Sequence, residues 1–142
     1  MPEPLLELIS VSVSYGEYRA LDDAGSMCAA MIKTIKAGGS QLLRPLADNY
    51  INYISTRQQR LKDGTLARNR PQPNTLWLDD LYMSVPALAQ MGAFTGNNDY
   101  FEDACKQIIQ FSQRMFNSGK GLYMHGWVED MDPHPEYYWG RC

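Results

Sequence analysis

Two Leu-Asp-Asp triplets, Leu21-Asp22-Asp23 and Leu78-Asp79-Asp80, set adjacent carboxylates at points of the chain 57 positions apart. One antiparallel helical pair with its two connections spans that distance, so both pairs are expected at the same end of an array of helical hairpins, facing one mouth. Carboxyl groups gathered at a mouth suit proton transfer, because one positioned carboxyl can give a proton and later take one back. Acidic residues at helix starts also cap free backbone N–H groups and favour the helix dipole, which is the plainer use of either pair alone. The repetition at matching positions favours a shared site. Further along, Leu122 to Cys142 gathers Trp127, Trp139, His125, His134, three tyrosines and Arg141 without a sustained period. This stretch reads as an irregular segment facing a ligand. A lone histidine is more often a structural hydrogen-bonding group, so neither His125 nor His134 is a site residue on its type alone.

Composition narrows the classes of function. The chain has 142 residues, 13 Lys+Arg against 16 Asp+Glu, and 44% hydrophobic residues, as in an ordinary globular protein. Basic residues are scattered and the net charge is -3, so a nucleic-acid partner is not expected. No apolar run approaches the roughly 18 to 20 residues of a membrane span. The start, Met1-Pro2-Glu3-Pro4-Leu5, lacks a basic n-region, so no signal or transit peptide is expected and the expected location is cytoplasmic. Cys28, Cys105 and Cys142 are odd in number and widely spaced; reduced, mostly buried thiols are expected rather than a disulfide framework or a metal site.

The elements that must position these residues are helices. Apolar spacing predicts a first helix over about 23–37 on Met27, Ala30, Met31 and Ile35, stopped by Gly38-Gly39. A second runs from Ser40 or Gln41 to Gln58, with Pro45 in its first turn. From Arg57 to Asn74, Asp63-Gly64 and two prolines predict a long shaped loop of the kind that tends to be functional. A third helix is predicted over 76–91, kinked by Pro86 and closed by Gly92. A fourth, over 99–117, carries Phe101, Ala104, Cys105, Ile108, Phe111 and Met115 on one stripe and ends at Gly119 or Gly121.

At RPQPNTLWLDDLYMSVPALAQMG, then TGNNDYFEDA, then GLYMHGWVEDMDPHPEYYWGR, the chain resembles the unsaturated rhamnogalacturonyl hydrolases of glycoside hydrolase family 105. Unsaturated glucuronyl hydrolases share that fold more distantly. The early LDDAGSM, the DGTLARNRPQ loop, the WLDDLYMSVP start and the HGW to WGR tail occur in the family's order from Tyr18 onward. The resemblance implies an all-α fold, part of an (α/α)6 barrel of alternating antiparallel hairpins whose inner-helix starts line a pocket. It also implies that residues 1–142 form one partial barrel domain, without hairpins on the C-terminal side and on the N-terminal side. Such a piece exposes helix faces that neighbours should cover, so alone it is expected to be poorly soluble or oligomeric.

The same resemblance implies a substrate and a chemistry. The family's substrate is an oligosaccharide ending in a 4,5-unsaturated uronic acid, and the reaction is hydration of the C4=C5 bond, with no metal and no cofactor. Asp79 matches the catalytic aspartate. Donation near neutral pH requires apolar or acidic surroundings to raise its pKa, for which Trp77, Tyr82 and Asp22 are the candidates. Asp80, about 100° further round the helix, is left as a cap or supporting group. Asp22, or less strongly Asp23, matches a pocket acid. His125-Gly126-Trp127 matches the family's HGW, with a histidine in the site and a glycine that lets the backbone approach a ligand. Trp139 and Arg141 match WGR, a stacking indole and a guanidinium fork for the uronate. Trp77 and Trp127 are grouped with these substrate-binding residues, while Arg68 and Arg70 are expected, by analogy of fold, either to shape the mouth or to hold acidic substrate. His134 gains no such support. Two rivals stand beside this reading: a non-catalytic helical-repeat or glycan-binding module, and another barrel enzyme such as an unsaturated glucuronyl hydrolase.

Overall fold

The computed structural model describes residues 21–138, with side chains from Ala24 onward. Residues 1–20, the side chains of Asp22 and Asp23, and Trp139, Arg141 and Cys142 lie outside the described residues. Helix α1 spans Leu21–Lys36. After Gly38, at φ 85, a 3-10 turn over Gln41–Leu43 leads into α2, Arg44–Asn52, and a π-helical turn over Tyr53–Arg57. The single second helix predicted over 40–58 is therefore three pieces. At its end Thr56 Oγ1 donates to Asn52 O at 2.7 Å, a side-chain bond that competes with regular helix pairing.

A short strand β1, Thr75–Trp77, precedes α3, Leu78–Thr95. This helix starts later and ends later than the predicted 76–91, and it continues through Pro86. Gly92 does not close it. A Cβ there would lie 2.9 Å from Phe101 Cε2, so this glycine admits α4 at close range, and the left-handed cap is Gly96 at φ 74. Helix α4, Asn98–Met115, starts where Asn97 Oδ1 accepts from Asp99 N at 3.0 Å. Then follow β2, Phe116–Asn117, β3, Leu122–Tyr123, and β4, Gly126–Val128. The tail expected to be irregular thus contributes two strands, one pairing with β2 and one with β1.

Helix α1 packs between α2 and α3, and α3 packs on α4. Cys28, Ile32, Ile51, Ile54, Leu88 and Met91 join these helices in one core, while Leu61, Leu66, Leu76, Phe111 and Met115 form a second under the 57–74 segment. On α4 the buried stripe is Ala104, Gln107, Phe111 and Met115, rotated from the predicted one. Phe101, Cys105 and Ile108 are exposed, so the expectation of buried thiols holds for Cys28 and fails for Cys105. The rotation follows from Gln107, which burial statistics place outside. Its Oε1 accepts from Leu66 N at 2.8 Å and its Nε2 donates to Gly64 O at 3.1 Å, so a polar residue pins the long loop to α4 from within. Among the described residues, no helix is long and apolar enough to cross a membrane.

Candidate active site

The 57–74 segment is folded back on itself rather than open. Arg60 bridges Leu66, and Arg68 pairs antiparallel with Thr75. Arg60 grips Asp103 of α4 with both terminal nitrogens, at 2.9 and 2.7 Å. This arrangement delivers Arg68 to the start of α3, where its Nε donates to Asp80 Oδ2 at 2.8 Å and its Nη2 bonds Asp80 Oδ1. Asp80 is fully buried, and its Oδ2 also accepts from Trp77 N at 3.4 Å. A buried carboxylate held by a bidentate guanidinium and a backbone donor has its charge compensated in place. The Arg68 guanidinium lies 4.3 Å from the centre of a Trp77 ring, a cation–π contact that fixes the indole. Arg68, expected at the mouth, is thus an anchor beneath the site. Arg70 is exposed and absent from the cavity walls described next.

With Asp80 turned inward, Asp79 projects elsewhere. It borders a cavity of about 450 Å³ together with Trp77, His125, Gly126, Trp127, His134 and Tyr137, among others. The β1–β4 ladder brings these distant residues together: Leu76 faces Trp127 and Trp77 faces Gly126 in antiparallel register. One step further, Leu78 N donates to His125 O at 2.9 Å. His125 Nδ1 lies 4.0 Å from Asp79 Oδ1, and its ring sits 5.6 Å from that of Trp77. The ladder is buttressed at its far end, where Asn74 Nδ2 donates to Glu129 Oε2 at 2.6 Å and Glu129 N to Asn74 O at 3.1 Å. Asn74 sits at φ 55, a left-handed conformation that asparagine tolerates better than most residues. Pro71 and Gln72 carry the long loop onto the cavity rim.

Of the residues predicted from sequence, the structure brings Asp79, Trp77, His125 and Trp127 onto one cavity. Tyr82, expected beside Asp79, is 68% exposed and is not one of the walls. Asp22 is in the first turn of α1, the helix that packs on α3. Gly25, one turn further along α1, approaches the backbone of Met83 so closely that a Cβ would stand 2.2 Å from Met83 O. The spacing of this contact matches that of the two Leu-Asp-Asp triplets to within one residue, so the starts of α1 and α3 are neighbours. His134, given no role from the sequence, lines the cavity, as do Met131 and Tyr137. No local motif marks these three; the pairing of β4 with β1 swings them into place. Among the described residues, no three His, Cys, Asp or Glu side chains gather to hold a metal.

The cavity thus combines a carboxyl group, two imidazoles and flat aromatic walls. Carboxyl and imidazole can move protons and accept or donate hydrogen bonds to hydroxyls, and indole faces stack on sugar C–H surfaces. Residues 10–142 match the model of Glycosyl Hydrolase Family 88. Among solved structures, the chain is similar to a possible member of the GH105 family from Klebsiella pneumoniae subsp. pneumoniae MGH 78578, with a TM-score of 0.65 and 21% identity over 72% of this chain and 28% of that one. It is also similar to a possible member of the GH105 family from Salmonella enterica subsp. enterica serovar Paratyphi A str. ATCC 9150, with a TM-score of 0.60 and 21% identity over 75% of this chain and 28% of that one. The chain spans just over a quarter of the length of each. The likeness establishes the fold as all-α, part of an (α/α)6 barrel. No curated protein matches the sequence.

Proposed function

Since the chain belongs to Glycosyl Hydrolase Family 88, we propose that the protein is a glycoside hydrolase that acts on oligosaccharides ending in a 4,5-unsaturated uronic acid, those from rhamnogalacturonan first. In this reading the Asp79 carboxyl group protonates C4 and positive charge develops at C5 beside the ring oxygen. Water adds at C5 and returns its proton to the Asp79 carboxylate. The hemiketal so formed opens and releases the neighbouring sugar. No displacement at the anomeric carbon takes place, so the carboxylate spacing that separates retaining from inverting glycosidases does not govern this chemistry.

The observation that carries the reading is the division of labour within one Asp-Asp pair. Asp80 is consumed by Arg68 and the α3 cap, while Asp79 faces the cavity with His125 beside it. His125 takes the role of binding the uronate end, and Trp77 and Trp127 that of walls for the ring. Asp22, Trp139 and Arg141 keep the roles given by the resemblance: a second acid near the reacting sugar, a stacking indole and a partner for the carboxylate. The test is direct, because the conjugated uronate absorbs in the ultraviolet and loses that band on hydration. The intact protein is expected to bleach unsaturated rhamnogalacturonan disaccharides faster than those from glycosaminoglycans. An unchanged signal across both sets would remove the assigned reaction.

A further inference from the structure

We infer that His134 is a positioning residue of this cavity, one that holds Trp127 and the segment 129–137 as a single aromatic wall for a sugar ring. The inference rests on the reading of the cavity as a sugar site. The His134 ring lies within 8° of parallel to the Trp127 ring, with centroids 6.2 Å apart, and both residues line the cavity. Its two nitrogens fix its chemical state. Val128 N donates to Nε2 at 2.8 Å, so Nε2 bears a lone pair. Nδ1 lies 2.9 Å from Pro135 O, and a carbonyl oxygen can only accept, so Nδ1 bears the proton. The imidazole is therefore neutral, in the Nδ1–H tautomer, with both nitrogens committed to backbone groups.

These bonds tie a loop to its own root. The segment leaves β4 after Val128 and returns beside the site, where His125 N donates to Tyr137 O at 2.7 Å. Its first residue is held by Asn74, and His134 ties its middle back to Val128. Met131, Pro135 and Tyr137 on this segment all face the cavity, so the position of the outer wall depends on the tie. The Arg114 guanidinium, 5.5 Å from the Trp127 ring centre, steadies the same indole. A side chain that acts by setting a wall should govern how well the substrate is held, with little effect on proton transfer at Asp79.

The experiment compares the intact protein with His134→Ala and His134→Gln. Glutamine places an amide oxygen near the position of Nε2, so it restores the bond from Val128 without the ring. His134→Ala is expected to raise KM about tenfold, the scale of one aromatic contact, with kcat within about twofold. His134→Gln should recover part of that loss; if the alanine variant does not fold, the glutamine variant alone carries the comparison. Long-range 1H–15N spectra of the wild type should show the Nδ1–H tautomer. An Nε2–H tautomer, an unchanged KM in a folded variant, or a loss confined to kcat would overturn the inference. If the wild type turns over no unsaturated disaccharide, the proposed function fails separately. His134 is then judged by its tautomer and by the near-ultraviolet dichroism of Trp127, identified by difference from Trp127→Phe. That signal should weaken in His134→Ala and return in His134→Gln, and full retention in His134→Ala would overturn the inference.

Discussion

Asp79 Oδ1 lies 4.0 Å from His125 Nδ1, and backbone bonds set that approach: Trp77 faces Gly126 in the β1–β4 ladder, and Leu78 N donates to His125 O. The carboxyl and the imidazole therefore move as parts of one small sheet that runs straight into α3. Removing the imidazole leaves this backbone in place. His125→Ala is expected to raise KM for an unsaturated disaccharide more than it lowers kcat, which steady-state kinetics on the intact protein will read; a loss confined to kcat would assign His125 to the chemical step instead.

The Arg68–Asp80 pair locks the base of the site. Asp80 is fully buried and Arg68 is 16% exposed, so removal of the guanidinium strands a carboxylate in the interior. Arg68→Met should cost about 3 to 5 kcal/mol of stability, the usual penalty for breaking one side of a buried pair. Arg68→Lys should not rescue it, because an ammonium supplies neither the fork nor the stacking on Trp77. Urea unfolding of the three proteins provides the comparison.

Gly25 offers a test of the neighbouring helix starts. A Cβ at this position meets Met83 O at 2.2 Å, a backbone atom that cannot rotate away. Gly25→Ala is therefore expected to destabilise the protein by about 1 to 3 kcal/mol, despite the better helix propensity of alanine. A thermal midpoint equal to or above that of the wild type would show that α1 and α3 are not in such close register.

Much of this architecture was legible in the sequence, because the signals concerned are local. The repeated Leu-Asp-Asp triplet marks the starts of α1 and α3, and one helical step of rotation requires that only one of Asp79 and Asp80 face a pocket, while the choice of Asp79 rests on the resemblance to the family. What escaped notice depends on distant pairing. β1 and β4 are three residues each, too short for alternation to show, yet they bring Trp77 and Trp127 together. Gln107 is polar, so apolar periodicity placed the buried stripe of α4 on Cys105 and Ile108 instead, whereas its amide satisfies loop groups some 40 residues earlier in the chain. His134 is flanked by prolines that hide any period, and its tie to Val128 exists only once β4 is formed.

Acid should loosen the long loop. Burial by itself would raise the Asp63 carboxyl, but hydrogen bonds from the Thr65 hydroxyl and backbone and from Arg114 outweigh it and hold the pKa at about 2. Arg60 and Gln107 similarly overcome burial to depress Asp103. A folded-state pKa below the unfolded value of about 3.9 contributes stability that is complete above that value and is lost as pH falls toward the folded one. The urea midpoint is expected to decline between about pH 4 and pH 2. Asp63→Asn should flatten part of that decline, and a slope identical to that of the wild type would exclude Asp63 as a source.

Proton transfer by Asp79 is tested by the kcat of Asp79→Asn in the intact protein, followed by loss of ultraviolet absorbance from an unsaturated rhamnogalacturonan disaccharide. Asparagine keeps the size and much of the hydrogen bonding but has no titrating proton. The kcat is expected to fall at least about a hundredfold, the scale of general acid–base loss, while substrate affinity survives. A variant with near-normal kcat would contradict proton transfer by Asp79 and pass the role to Asp22, since Asp80 is buried under Arg68.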